Sequence, residues 1–239
     1  MTTASVPGFA PSRHALRFTN AFPPAPAVTL DLGPAGVLGI GDASNGLCGG
    51  MVLAVRDLFE AWLTPPEADQ PPAAGSPLFR YLVRRLIDSW DVPGGVLRYL
   101  RWMLTPDGDA GVGPFAVHGV AHMTILEQLP HVRAEIDEGR LCPLGLVTQH
   151  SADVGRLGRN HQVLAYGYAL DGDLLTLSVY DPNTSLAGAD DVRITLSVAG
   201  PHRATPVRHN VNLPEPVRGF FISRYRPPGS GALAGGLGG

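Results

Sequence analysis

One of the chain's two cysteines, Cys48, stands in the stretch NGLCGGM, between glycines and at the foot of a long apolar helical pattern. A thiol placed there meets the conditions of nucleophilic catalysis. The positive end of a helix macrodipole stabilises a thiolate. A packed helix holds the sulfur still, and flanking glycines leave room for a substrate to approach. Cys48 precedes Val52 by four residues and Val55 by seven, so it belongs to the helix's apolar face. An isolated cysteine is more often a small core residue, so the chemistry depends on partners.

Those partners lie in NHQVLAYGYALDGDLLTLSVYDPN, Asn160 to Asn183. The segment reads as a β-hairpin turning at Asp171-Gly172. Val163, Ala165, Gly167, Leu175, Leu177 and Val179 share odd positions and form an apolar or small-residue face. Tyr166, Tyr168, Thr176, Ser178 and Tyr180 take the even positions of a wetter face. His161 and Asp181 are both odd and stand at the two ends of the hairpin, on the face that a helix would cover. For both arms to share that face the turn must hold an odd number of residues, which "DGD" with a glycine bulge supplies. On this reading Cys48, a general base His161 and its orienting carboxylate Asp181 converge. Cys142 is a core thiol.

Other clusters are weaker. In HGVAH, His118 and His122 have the i, i+4 spacing of a zinc-binding helix, with His131 or Glu127 as third ligand. Gly119 stands where a zinc peptidase carries its glutamate. They are read as helix-surface histidines, and neither metal nor cofactor is expected. GIGDASNG has phosphate-loop glycine spacing but no following Lys-Ser/Thr, so it is rejected.

The elements that must position these groups divide the chain by character. Residues 1–41 are Pro- and Gly-rich and irregular, with AVTLDL as an edge strand. Met51 to Leu63 forms the clearest helix, stopped by Thr64-Pro65-Pro66. Ser76 and Pro77 read as N-cap and first residue of a second helix, with a buried stripe from Phe79 to Trp90. A third helix covers Gly95–Leu104. A fourth runs from about Val117 to Glu138, kinked or broken at Pro130 and capped by Gly139. Then come five strand-like runs: LCPLGLVTQ, HQVLAYGYAL, LLTLSVYD, DVRITLSV and VRGFFISRY. Helices first and strands afterwards predict an α+β domain over 1–226, helices packed on a mainly antiparallel sheet of about five strands. Residues 64–140 would be a helical insertion or flank, and 227–239 a flexible Gly-rich tail.

Composition excludes other classes. With 44% hydrophobic and 16% charged residues the 239-residue chain is globular and long enough for a full core. A formal net charge of −3 and the lack of any basic run argue against a nucleic-acid partner. All 18 basic residues are arginine, which carries no mechanistic weight. No apolar run reaches the ~20 residues of a membrane span. The N-terminus lacks a signal-peptide pattern, making cytoplasmic residence the default, compatible with signal-less export.

A cysteine at a helix N-terminus, a distant H-x-hydrophobic-x-x-x-G-Y strand and a strand ending in Asp-Pro together resemble the papain-like cysteine peptidase superfamily, nearest its bacteriocin-leader-processing branch. The resemblance covers roughly residues 41–63 and 142–183. It implies a papain-like α+β fold and a Cys48–His161–Asp181 triad, with Asn183 as the alternative orienter. It also implies hydrolysis of a peptide or isopeptide bond in a peptide or protein substrate, with deamidation or transamidation as variants. The superfamily usually has a glutamine six residues before the cysteine as oxyanion donor. Here that position is Asp42, an anion, and Asn45, the helix-terminal amides or Gln149 are the substitutes. A catalytically silent binding protein on the same fold is the alternative that Asp42 suggests.

Overall fold

The computed structural model describes residues 1–22, 28–31, 37–40, 46–91, 93–111, 113–211, 213–229 and 231, with the backbone alone of 28–31, 37–40 and 114. Its centre is a seven-stranded antiparallel sheet. The strands are β1 (Thr2–Ser5), β4 (Cys142–Val147), β5 (His161–Asp171), β6 (Leu174–Tyr180), β7 (Arg193–Ser197), β8 (Arg208–His209) and β9 (Gly219–Ile222). The order is β8-β7-β6-β5-β4-β9, and β1 joins the outer half of β5, where Thr2 faces Leu170 and Ser5 faces Gly167. The five expected strands all form. The two additions are short and, in β1, polar, so they carry no alternation to read. AVTLDL is not an edge of this sheet. Its β2 (Val28–Asp31) pairs with β3 (Val37–Ile40) as a separate two-stranded sheet. Nor is the N-terminal segment irregular throughout. The short α1 (Pro11–His14) follows β1, and Val6, Phe9, Leu16, Phe18 and Phe22 are buried in the main core.

Helices cover both faces of the sheet. On one side lie α2 (Cys48–Glu60), α3 (Pro77–Ser89) and α4 (Gly94–Leu104), whose core includes Leu164, Tyr180 and Phe221 from the strands. Ser76 caps α3 as expected, accepting the Phe79 amide at 3.2 Å, with Pro77 at the first helical position. On the other side α6 (Leu129–Asp137) sets Leu129, Val132 and Ile136 against Leu144, Val163, Leu177 and Ile194. Burial on both faces explains why β4 is apolar throughout rather than alternating.

The fourth expected helix is interrupted. It begins as α5 (Val120–His122), widens to a π-helical turn over Met123–Gln128 and resumes as α6. Pro130 has no amide hydrogen to donate back into the preceding turn, and the widened turn ahead of it accommodates that loss. Gly139 closes the helix with φ +75°, a conformation that glycine adopts without strain.

The β5–β6 hairpin departs from its predicted geometry. Asp171 pairs with Leu174, so the loop is the two residues Gly172 and Asp173, not an odd number. The odd residue lies instead in a bulge at Tyr166: Gly167 faces Ser178, but Ala165 faces Val179. The apolar face of β5 therefore runs Val163, Ala165, then Tyr168, whose hydroxyl donates to Asp137 at 2.8 Å on the α6 side. Tyr180, expected on a wet face, is buried under the α2–α4 layer.

The tail expected to be flexible lies largely outside the described residues. Among those described, no helix is long and apolar enough to cross a membrane.

Candidate active site

Cys48 is the first residue of α2 and is 7% exposed. The first intrahelical bond of this end runs from the Met51 amide to the Leu47 carbonyl, and the amides of Cys48, Gly49 and Gly50 are helix-terminal donors with no backbone acceptor among the described residues. Leu47 offers no side-chain cap, and its own amide donates to Asn20 Oδ1 at 2.7 Å. Asn20 in turn donates its backbone N–H to the Pro182 carbonyl at 2.8 Å. The start of α2 is thus tied to the residue that follows Asp181.

The glycines around Cys48 serve packing more than access. A Cβ on Gly50 would lie 2.1 Å from the Leu82 carbonyl oxygen of α3. One on Gly49 would meet Ser89 Oγ at 2.4 Å and Gln162 Nε2 at 2.7 Å. Gly46, at φ +46°, makes the turn into the helix beside the Asn20 amide.

His161 opens β5 opposite Leu146 of β4. Asn160 sets its position: its Oδ1 accepts the Thr148 amide at 3.0 Å and its Nδ2 donates to the Leu157 carbonyl at 3.1 Å, pinning the β4–β5 connection. Across the hairpin, the bulge lets His161 and Asp181 occupy one face, and His161 Nε2 lies 2.8 Å from Asp181 Oδ1. That leaves Nδ1 as the ring nitrogen available to the thiol. Burial opposes a charge on this ring. The Asp181 carboxylate and the neighbouring Cys48 sulfur outweigh it and push the imidazole up to about 10. Asp181 is wholly buried, which favours its neutral form, yet the two imidazoles around it hold the carboxyl well below the usual range.

The second imidazole belongs to His209, a residue that sequence reasoning missed. Its Nδ1 accepts the Val211 amide at 3.0 Å, which places the ring proton on Nε2, and Nε2 lies 2.9 Å from Asp181 Oδ2. Nothing local in PVRHNVN marks it, because β8 is only two residues long and reaches the site through β7. Asn183 stands beside the carboxylate rather than the imidazole. Its backbone amide donates to Asp181 Oδ1 at 2.7 Å and its Oδ1 accepts from Asn20 Nδ2 at 3.3 Å.

Cys48, His161, Asn20 and Asn183 line one cleft of about 320 Å³, closed on other sides by Arg159, Leu213 and Glu215. A second, small pocket of about 20 Å³ is lined by Cys48 together with Leu86, Trp90, Tyr99 and Gln162. Asp42 and Asn45 lie outside the described residues. Gln149 is buried next to Thr148, whose Oγ1 its side chain reaches at 3.2 Å, and it is not among the residues lining the cleft. Among the described residues, one side-chain donor brought to the mouth of α2 is Asn20 Nδ2, an orientation required by the Leu47 amide occupying Oδ1. Asn20 lies 28 positions before Cys48, so no spacing rule points to it.

A second group of ligating side chains lies apart from the cleft. His118 and His122 meet Asp109 and His202, and neither His131 nor Glu127 belongs to the group. No protein-family model, curated protein or solved structure matches the chain.

Proposed function

We propose that this chain is a thiol-dependent acyl-transfer enzyme, a cysteine peptidase or amidase of papain-like architecture. The observation that carries the reading is a thiol at a helix N-terminus sharing an open cleft with an imidazole whose far nitrogen is held by a buried carboxylate. In the reaction His161 already holds the Cys48 proton, and the thiolate attacks the acyl carbon. The tetrahedral oxyanion is met by the Cys48 amide and Asn20 Nδ2. Collapse breaks the C–N bond, the leaving amine takes the proton from His161, and a thioester remains. Water, deprotonated by His161, then attacks the thioester, and sulfur departs and recovers the proton. Asp181 holds the imidazole in register throughout. An amine in place of that water gives transamidation.

Labelling with iodoacetamide tests the thiol chemistry directly. Cys142 is fully buried in β4 and burial pushes its thiol far up, so the native protein should alkylate at Cys48 alone. Labelling should stay fast below neutral pH, and His161→Ala should abolish that acidic reactivity while the chain stays folded. Labelling of Cys48 no faster than that of an exposed peptide cysteine, with the same pH profile, would sink the proposal.

A further inference from the structure

Asp109, His118, His122 and His202 each offer one ligand atom, and these atoms all lie within 4.8 Å of one another. We propose that they form a structural zinc-type site that clips the β7–β8 loop to the segment ahead of α5. This inference does not depend on the thiol chemistry.

Three imidazoles and one carboxylate suit zinc and its neighbours in the transition series, not calcium or magnesium, which take oxygen ligands. With bonds of about 2.0–2.1 Å, the ligand atoms of a tetrahedral zinc lie about 3.3 Å apart. Two edges of that figure are close to this length before any ion is considered. Asp109 Oδ2 is 2.8 Å from His202 Nδ1 and 3.2 Å from His118 Nδ1. His118 and His122 stack with ring centroids 3.6 Å apart and planes 6° from parallel. Binding requires these rings to splay so that each lone pair points at the ion. At 60% exposure the His118 and His202 side chains have room to turn. His122 is more enclosed, and its Nδ1 is buried without a hydrogen-bond partner among the described residues, while its Nε2 is 4.0 Å from Glu127.

The backbone already holds the segments together. Asp109 Oδ1 accepts the Gly119 amide at 2.8 Å, and the Asp109 amide donates to the His202 carbonyl at 3.0 Å. Ala110 and Val117 bridge the intervening loop. The approach is so close that a Cβ on Gly119 would lie 2.3 Å from the Gly108 carbonyl carbon, and one on Gly108 2.7 Å from the Ala204 nitrogen. Gly119, which breaks the zinc-peptidase motif, thus serves the convergence of three chain segments. Four protein ligands leave no open coordination position, so the metal's role is structural rather than hydrolytic. What it would secure is the loop leading into β8 and His209.

The test uses the full chain carrying Cys48→Ser, so that the catalytic thiol cannot bind metal. Chelator competition should show one equivalent of zinc bound tightly, with a raised melting temperature. Cobalt(II) should give the intense visible bands of four-coordination without a thiolate charge-transfer band. His118→Ala and His202→Ala, both at exposed positions and with folding checked by circular dichroism, should each weaken zinc by more than the roughly 10–100-fold that loss of an outer-shell partner costs. Less than one equivalent bound at micromolar zinc, or tight binding that survives both substitutions, overturns the proposal.

Discussion

Asp181 turns one carboxylate oxygen to each of two imidazoles, and that division separates its neighbours' roles. His161 Nε2 bonds to Oδ1, shared with the Asn183 amide, and His209 Nε2 lies 2.9 Å from Oδ2 in an ion-pair contact outside hydrogen-bond geometry. His209 does not line the cleft of Cys48, and under the proposed chemistry it acts through Asp181, as a positioning residue. Replacing it by Phe should lower kcat about 10–100-fold, by analogy with outer-shell partners elsewhere, and shift the pH profile of kcat, with KM little changed. His209→Gln, which keeps a donor, should recover part of the loss. Under the proposed chemistry Asn20→Asp keeps an acceptor for the Leu47 amide and removes the Nδ2 donor, together with its exposed 3.3 Å bond to Asn183 Oδ1. The expected result is a fall in kcat of about 10²–10³ with only a small change in melting temperature, since the lost bond to Asn183 is exposed. An unchanged kcat would remove Asn20 from the oxyanion site. The His161 ring also makes stability depend on pH. Its folded-state value is raised, so its contribution is full below the ordinary 6.5 and is lost as pH climbs through about 10. The urea midpoint should therefore fall over that interval, and His161→Gln should flatten the fall. Cys48, His161 and Asp181 were legible because each sits at the end of a strongly patterned element. His209 and Asn20 were not, since both reach the site from segments with almost no periodicity.

At the scale of elements, α2 carries the thiol and its placement depends on α3. Gly50 lets the two helices approach until its missing Cβ would overlap the Leu82 carbonyl. Gly50→Ala should therefore destabilise the fold by about 1–3 kcal/mol, a drop of about 2–4 °C in Tm per kcal/mol for a domain of this size. A neutral outcome would mean that the helices separate freely. In sequence those glycines resembled an approach path for substrate, because a missing side chain looks the same whether a ligand or a helix fills its place. The hairpin shows a similar limit. Alternation indicated that one residue had to be out of step between His161 and Asp181, and that was right. The sequence reading places that residue in the turn, and the bulge at Tyr166 absorbs it instead. The π-helical turn was half visible, as a break at Pro130 whose form depends on packing against β9.

Across the whole molecule, the far end of α2 is anchored by a buried ion pair. Arg85 reaches both oxygens of Asp57 at 2.7 and 3.0 Å, and the hydroxyls of Tyr81 and Tyr225 donate to the same carboxylate at 2.7 and 2.9 Å. Both charged residues are 1% exposed. Arg85→Ala leaves the carboxylate without its cation and should cost about 3–5 kcal/mol, measured by urea denaturation; a loss below 1 kcal/mol would show that water or another cation replaces it. The α+β class was legible at this scale because helical and strand periodicities occupy separate halves of the chain. That both sheet faces are covered was not, since it depends on which helix meets which face. The pairing of β1 with β5 has a consequence for synthesis. Residues 2–5 dock on residues 167–170, so roughly 160 residues must be translated before the first strand's partner exists. At about 5–20 residues per second, Thr2–Ser5 waits on the order of ten seconds or more on the ribosome before its ladder can close.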